Sequence, residues 1–266
     1  MPKGAVRAVI KLNFDLAVFL ERVFQPSPVF LEALVTTMTV AVLAQLIGVA
    51  LGVLSALAAR SKYAALRLGS SFYVWLMRGT PALVQVFFLF YGLPLILGVD
   101  LFPRELSLGF VTISGAMIAG IVALGLNEGA YMSEIVRAGI SSVDRGQMES
   151  ALSVGMTPSL AMRRVVLPQA ARVIVPPLGN EFNTMLKNTS LLAFIGVYEI
   201  FLDTQTGYAR TFKPAEYFLS VAVWYLLLTT LWGFVQTGLE RSLNAGYAPT
   251  RSAKARGAGL KLEVRR

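Results

Sequence analysis

Residues 33–59 read ALVTTMTVAVLAQLIGVALGVLSALAA, a run without a single charged side chain from Ala33 to Ala59. As a helix rising about 1.5 Å per residue it extends about 40 Å, enough to cross a bilayer with some tilt. We take it as the first membrane span. Four further stretches follow the same logic. The second extends from about Leu68 to Val99, is interrupted by Arg78, and meets Gly92, Pro94 and Gly98, where a helix is expected to bend or end. The third begins near Leu106, stays uncharged to Asn127, and continues in helical register through Glu128, Tyr131 and Glu134 towards Arg137. The fourth, about Pro176 to Tyr198, contains Glu181 and Lys187. The fifth, Tyr217 to Leu239, is uncharged and carries Trp224, Tyr225 and Trp232, aromatics of the kind that anchor at membrane interfaces.

Composition agrees with these spans. Hydrophobic residues make up 55% of the chain and charged residues 15%, with a mean hydropathy of +0.63, well on the apolar side of soluble domains. The apolar residues fall in runs of spanning length rather than in short alternating patches. The expected architecture is an all-α membrane protein with about five transmembrane helices. Residues 1–28 read as an amphipathic segment on the membrane surface, 29–245 as the membrane domain, and 246–266 as a basic, disordered tail in the cytoplasm.

A formal charge of +9 raises the question of nucleic acid, but the basic residues flank apolar runs and no nucleic-acid module surrounds them. They fit membrane orientation instead. Arg60, Lys62 and Arg67 follow the first span, Arg137, Arg145, Arg163, Arg164 and Arg172 separate the third and fourth, and a basic tail follows the fifth. Since Lys and Arg are retained in the cytoplasm, the N-terminus is expected outside and the C-terminus inside. Lys3, Arg7, Lys11 and Arg22 oppose that assignment, and the later connections outweigh them.

The chain has no Cys and no His. Disulfides, thiolate metal sites, a Ser/His triad and an imidazole proton relay are therefore excluded. We assign no catalytic residue, no metal ligand and no cofactor to it. It also lacks the Gly-x-x-x-x-Gly-Lys-Ser/Thr loop that cradles nucleotide phosphates.

The connection Asp144-Arg-Gly-Gln-Met-Glu-Ser-Ala-Leu-Ser-Val-Gly155 is too polar to span. Asp144 with Gln147 three residues on has the form of a reciprocal helix cap, and Gly155 of a left-handed stop. Thr157-Pro158 then repeats a start signal, and Leu167-Pro168 is expected to close a second short helix. On spacing alone these are interfacial helices in a long loop, at about 144–166. Gln147-Met-Glu149-Ser150-Ala151, Gly155 and Leu167-Pro168 together resemble the cytoplasmic signature of ABC importer permeases, with Ser150 in place of the usual middle Ala. Arg78-Gly-Thr-Pro81 with Leu83-Val-Gln85, Ala130-Tyr131-Met-Ser-Glu134-Ile-Val-Arg137 and Lys187-Asn-Thr-Ser-Leu191 resemble its polar amino acid branch, the histidine/glutamine/glutamate permeases.

The resemblance covers roughly residues 30–245 and implies the type I ABC importer permease fold in a bacterial inner membrane. It implies a second permease chain, identical or paralogous, two ATPase subunits that carry the ATP and Mg, and an extracytoplasmic solute-binding protein that delivers an amino acid. It also implies that Gln147, Glu149, Ser150, Ala151, Gly155, Leu167 and Pro168 belong to the ATPase contact.

Within the membrane a charged side chain costs about 2.5–3.5 kcal/mol on insertion scales, so each needs a partner or an aqueous cavity. At 100° per residue, Asn180, Asn183, Thr184 and Lys187 share one stripe of the fourth span, while Asn127, Tyr131 and Glu134 share one of the third. We expect these faces to line a substrate path through Arg78, Glu128, Tyr131, Glu134, Asn183, Lys187, Asn188 and Ser190. The plainer alternative has Arg78, Glu134 and Arg137 snorkelling at the interface and Lys187 paired with Glu181. Family members often carry Asp after the Lys, so Asn188 argues for a neutral or acidic polar amino acid. An ion-coupled secondary transporter is the competing class, disfavoured by the absence of internal repeats. A membrane enzyme would need a carboxylate pair or a Ser/Lys dyad such as Ser190 with Lys187.

Overall fold

A computed structural model of the chain describes residues 14–103, 105–108 and 111–244. Residues 1–13 of the expected surface segment, with Lys3, Arg7 and Lys11, lie outside those residues, as do Arg104 and the basic tail. The first described helix, α1 (Leu16–Phe24), starts at Asp15, whose carboxylate accepts from the Ala17 and Val18 amides. Next, α2 (Pro28–Ala59) begins at Ser27, which accepts from the Phe30 amide, with Pro28 in the first turn where its missing N–H costs nothing.

The core is the pairing of α2 with α6 (Gly115–Ser141). Their contact is lined by small residues, Ala41, Ala44, Gly48, Gly52 and Ala56 among them. A methyl group at Gly48 would overlap the Glu128 side chain, and one at Gly52 the Met132 side chain. Such close approach is how helices gain dispersion energy in lipid, where no hydrophobic force draws them together. The outer surface of α2 is apolar instead, with Val35, Leu46, Leu54 and Leu57 more than half exposed. Small or polar inside and leucine outside is the arrangement a hydrocarbon solvent selects.

Between α2 and α6 the chain turns sharply. The pair α3 (Ala64–Gly79) and α4 (Ala82–Phe87) is bent by 109°. Of the positions where a bend or end is expected, Gly98 ends a helix, but the main bend lies at Thr80–Pro81 rather than at Gly92 or Pro94. Thr80, preceding proline, is driven to an extended conformation (φ −124°, ψ 148°), which no helix can pass through. Gly92 and Pro94 do less. A π-helical turn over Phe88–Gly92 absorbs the missing Pro94 N–H and leads into α5 (Leu93–Leu97), which stops at left-handed Gly98.

The third span also starts later than expected. Leu106 belongs to an antiparallel hairpin, β1 (Glu105–Leu108) with β2 (Val111–Ser114), and α6 begins only where Ser114 accepts from the Met117 amide. Leu106, Leu108, Val111 and Ile113 alternate with polar residues, which is strand period rather than helix period.

After α6 come α7 (Arg145–Ser153), α8 (Pro158–Ala161) and α9 (Leu167–Asn188). Leu167–Pro168 does not close the second short helix, contrary to expectation. A π-helical turn over Met162–Val166 widens the backbone just before Pro168, so α8 runs on into α9. The fourth span therefore begins well before Pro176. It ends in a 3-10 segment, Thr189–Ile195, then left-handed Gly196, and a 52° bend into α10 (Ile200–Thr211). Finally, α11 (Pro214–Asn244) packs against α1, α9 and α10. Its aromatics are bonded into the bundle: Trp224 Nε1 donates to the Arg22 carbonyl (3.2 Å), Tyr225 O–H to Glu199 (3.3 Å), and Trp232 Nε1 to the Gly179 carbonyl (2.8 Å). Among the described residues, three helices are long and apolar enough to cross a membrane alone, or up to five spans if each bent pair counts as one.

Candidate functional site

The α3–α4 bend and the second half of α6 build the first polar cluster. Thr80–Pro81 leaves helix-end carbonyls open, and the Gln85 amide closes them, donating to the Met77 carbonyl (2.8 Å), the Thr80 carbonyl (3.1 Å) and Thr80 Oγ1 (2.7 Å). Its Oε1 accepts from Asn127 Nδ2 (2.9 Å), which pins the bend to α6. Two turns further along α6, Glu134 takes Arg137 at 2.7 Å and Arg78 at 3.7 Å, while the Arg78 guanidinium sits 5.4 Å from the Tyr131 ring centre. Arg78, Tyr131 and Glu134 are thus brought together, half-buried to exposed.

Glu128 is not part of that cluster. Its position lies about 100° round the helix from Asn127, which turns it into the α2 contact. There it is 3% exposed and accepts from Gln45 Nε2 at 3.1 Å. Buried in that contact, it holds α2 to α6 rather than facing a cavity.

On α9 the expected stripe faces outward. Asn180, Thr184 and Lys187 are exposed and Asn183 and Asn188 half-buried, with Asn183 Oδ1 lacking a hydrogen-bond partner among the described residues. Lys187 and Ser190 line an open pocket of about 420 Å³ with Phe201, Phe218, Tyr225 and Thr229. Lys187 is in none of the four ion pairs among the described residues, so the alternative in which it pairs with Glu181 or another acid is not met. Ser190 Oγ donates to the Lys187 carbonyl (2.7 Å), a bond within its own helix. No hydrogen bond between the Ser190 hydroxyl and Lys187 Nζ supports the dyad an enzyme would need.

At the other end of α2, Arg60 lines a cleft of about 370 Å³ with Asp144, Arg145, Met148 and Glu149. The short helix α7 above it is braced from below. Ala151 is buried, and Met148 packs on a cluster of Ala56, Val136, Ile140, Val166 and Ala170. Gly155 at φ 86° stops α7, its amide donating to the Leu152 carbonyl (3.0 Å) and that of Met156 to the Ala151 carbonyl (3.1 Å). Asp144 caps the helix through the Gly146 amide (2.6 Å), but Gln147 does not return the bond. Its Oε1 accepts from Gln169 on α9 instead (3.2 Å), tying α7 to the following span. Gln147, Glu149 and Ser150 remain exposed, as do Leu167 and Pro168 at the start of α9.

A bundle with an apolar outer surface, bent spans and a braced polar helix at one end has the form of a membrane permease. The family model described as the binding-protein-dependent transport system inner membrane component matches residues 48–245, and the chain belongs to that family. It is 40% identical to the probable amino-acid ABC transporter permease protein PatM of Vibrio harveyi, over 89% of this chain and 99% of that one. It is 37% identical to the arginine transport system permease protein ArgU of Corynebacterium glutamicum, over 82% and 69% of the two. Among solved structures it is similar to an amino acid ABC transporter crystallised with histidines, at a TM-score of 0.73 and 35% identity over 84% of this chain and 98% of that one. The all-α importer permease fold read from the motifs is the fold observed. The chain is a permease subunit of an ABC importer.

Proposed function

We propose that this chain forms the membrane path for a polar amino acid, entering the cytoplasm by alternating access. The observation that carries the reading is the outward polar stripe of α9, Asn180, Asn183, Thr184 and Lys187, on a chain whose outer surface is otherwise largely apolar. Polar side chains left open at membrane depth need a partner or water. A second permease chain facing this stripe would enclose it.

Lys187 and Arg78 supply cations for the substrate carboxylate, and Glu134 with Tyr131 an acceptor and ring face for its ammonium. Asn183, Asn188 and Ser190 add neutral hydrogen-bonding groups. Glu128 serves structure rather than substrate. With Asn188 neutral, the site favours a neutral or acidic amino acid, although the relative named for arginine is 37% identical.

On the opposite side, α7 offers Gln147, Glu149, Ser150 and Gly155 to an ATPase subunit, with Leu167 and Pro168 beside it. Its bracing by Met148, Ala151 and Gln147 lets a push on α7 move α6 and α9 together. ATP and Mg reside on that partner, and ATP binding would draw two such helices together and open the path outward. The N-terminus faces outside and the C-terminus the cytoplasm of a bacterial inner membrane. Proteoliposomes holding this chain, its ATPases and its solute-binding protein, offered a panel of labelled amino acids, test the reading. Uptake of a neutral or acidic polar amino acid is expected; strong preference for arginine or lysine would overturn the substrate assignment.

A further inference from the structure

One corner of the molecule is built against conformational preference. Phe212, between α10 and α11, closes α10 with its amide donating to the Tyr208 carbonyl (2.7 Å), and does so at φ 55°, ψ 32°. Among the described residues it is the one non-glycine residue at positive φ. Helices commonly end this way on glycine, because a side chain in the left-handed region crowds its own backbone. Phe212 is also 87% exposed, the most open of the large apolar side chains described. The strain is therefore not offset by packing within the chain. It holds an aromatic ring outward at a fixed point.

The surroundings indicate what meets that ring. Exposed Arg210 and Thr211 precede it, and Lys213 follows, fixed by Asp15 at 2.6 Å. Beside it lies a cleft of about 200 Å³, lined by polar Glu21, Arg22, Thr211 and Lys213 and by apolar Val18 and Phe30. A lone aromatic in a polar, arginine-bearing rim is the form of a protein–protein hot spot, while acyl chains would leave that cleft unsatisfied. The corner also lies at the far end from the braced helix. Lys213 holds α1 near the start of α2, whereas α7 sits over Arg60 at its end, about 48 Å away along α2.

We infer that Phe212, held in the left-handed conformation, is a docking anchor for the soluble solute-binding protein, which offers an apolar socket ringed by acceptors for Arg210. The inference rests on the importer reading above, which assigns the α10–α11 corner to the outer face.

The test uses the complex of permease and ATPases in nanodiscs, with the solute-binding protein that supports uptake. In F212A and F212G the concentration of binding protein giving half-maximal ATPase stimulation should rise about tenfold or more, with the unstimulated rate unchanged. F212G, relieved of strain, should unfold at the same temperature as the parent or higher. Half-saturation within about twofold of the parent in both variants overturns the inference. An F212W variant separates the other source of contact: an emission shift on adding binding protein supports docking, whereas quenching by nitroxide-labelled lipid with no response to the protein assigns the ring to the membrane and overturns it. If the parent complex itself is not stimulated, the importer reading fails and this inference with it.

Discussion

Gly155 and Glu149 separate folding from coupling at the level of single residues. Gly155 stops α7 at φ 86° with no atom near the position of a Cβ, so Gly155→Leu strains the backbone by about 1–2 kcal/mol without any clash. Glu149 is exposed, and reversing its charge changes a surface. Both G155L and E149K should insert into the membrane normally and lose ATP-coupled uptake. Wild-type transport in such variants would remove α7 from the ATPase contact. Gly48 behaves oppositely. It admits Glu128 to the α2–α6 contact, so Gly48→Leu should cost about 1–3 kcal/mol by overpacking and lower the unfolding temperature in detergent, whatever its effect on transport. In the path, Lys187→Gln should weaken substrate affinity with expression unchanged; unaltered uptake in both K187Q and N188A would take that end of α9 out of the site.

Among elements, α1 is held by charge beneath and leucine above. Arg22 meets Asp203 at 2.8 Å and lies 4.0 Å from the Tyr217 ring centre, while Leu16, Leu20 and Phe24 point away from the bundle. At its start Asp15 is hydrogen-bonded by Lys213, which holds the carboxyl below its ordinary value of 3.8 and, reciprocally, the Lys213 amine above 10.5. A depressed acid stabilises above its unfolded pKa and loses that contribution as pH falls through the folded value. A raised amine stabilises below its unfolded pKa and loses it only in strong alkali. Docking of α1 should therefore be constant across neutral pH and weaken in acid below about pH 4. Trp224, bonded to the Arg22 carbonyl, should report this in its emission; a transition near neutrality would contradict it.

Element boundaries also explain what was legible beforehand. The α2 and α11 spans follow from uncharged length alone. The β1–β2 hairpin was hidden because its apolar residues run without charge into α6, so the period change from two to 3.6 was lost in one long hydrophobic stretch. Prolines misled in a similar way. Pro94 and Pro168 are tolerated beside π-helical turns, and the bend falls at Pro81, where the preceding Thr80 is extended. Tyr131 and Glu134 were recognisable as sharing one helix face, but their meeting with Arg78 depends on the Thr80–Pro81 bend, and the inward turn of Glu128 on Gly48 of another helix. The roles of Gln85 and Asn127 in locking the bend were signalled only by the place of Gln85 in the motif with Arg78 and of Asn127 on the stripe with Tyr131 and Glu134.

For the molecule as a whole, the proposed topology of five crossings puts the α7 connection and the α10–α11 corner on opposite sides. Reporter fusions at Gly98, Ser153, Tyr208 and Arg256 should alternate outside, inside, outside, inside, and an inside signal at Tyr208 would break the fourth span. In the proposed mechanism the energy for uphill movement enters through α7 from an ATPase subunit, since this chain carries no nucleotide loop of its own. The most direct measurement of that claim is uptake of labelled amino acid by proteoliposomes containing the chain, its ATPases and its solute-binding protein, with ATP enclosed and ionophores dissipating every ion gradient. Uptake that continues under ionophores and stops without ATP is the predicted result; uptake driven by an ion gradient in this chain alone, with no need for ATP, would contradict it.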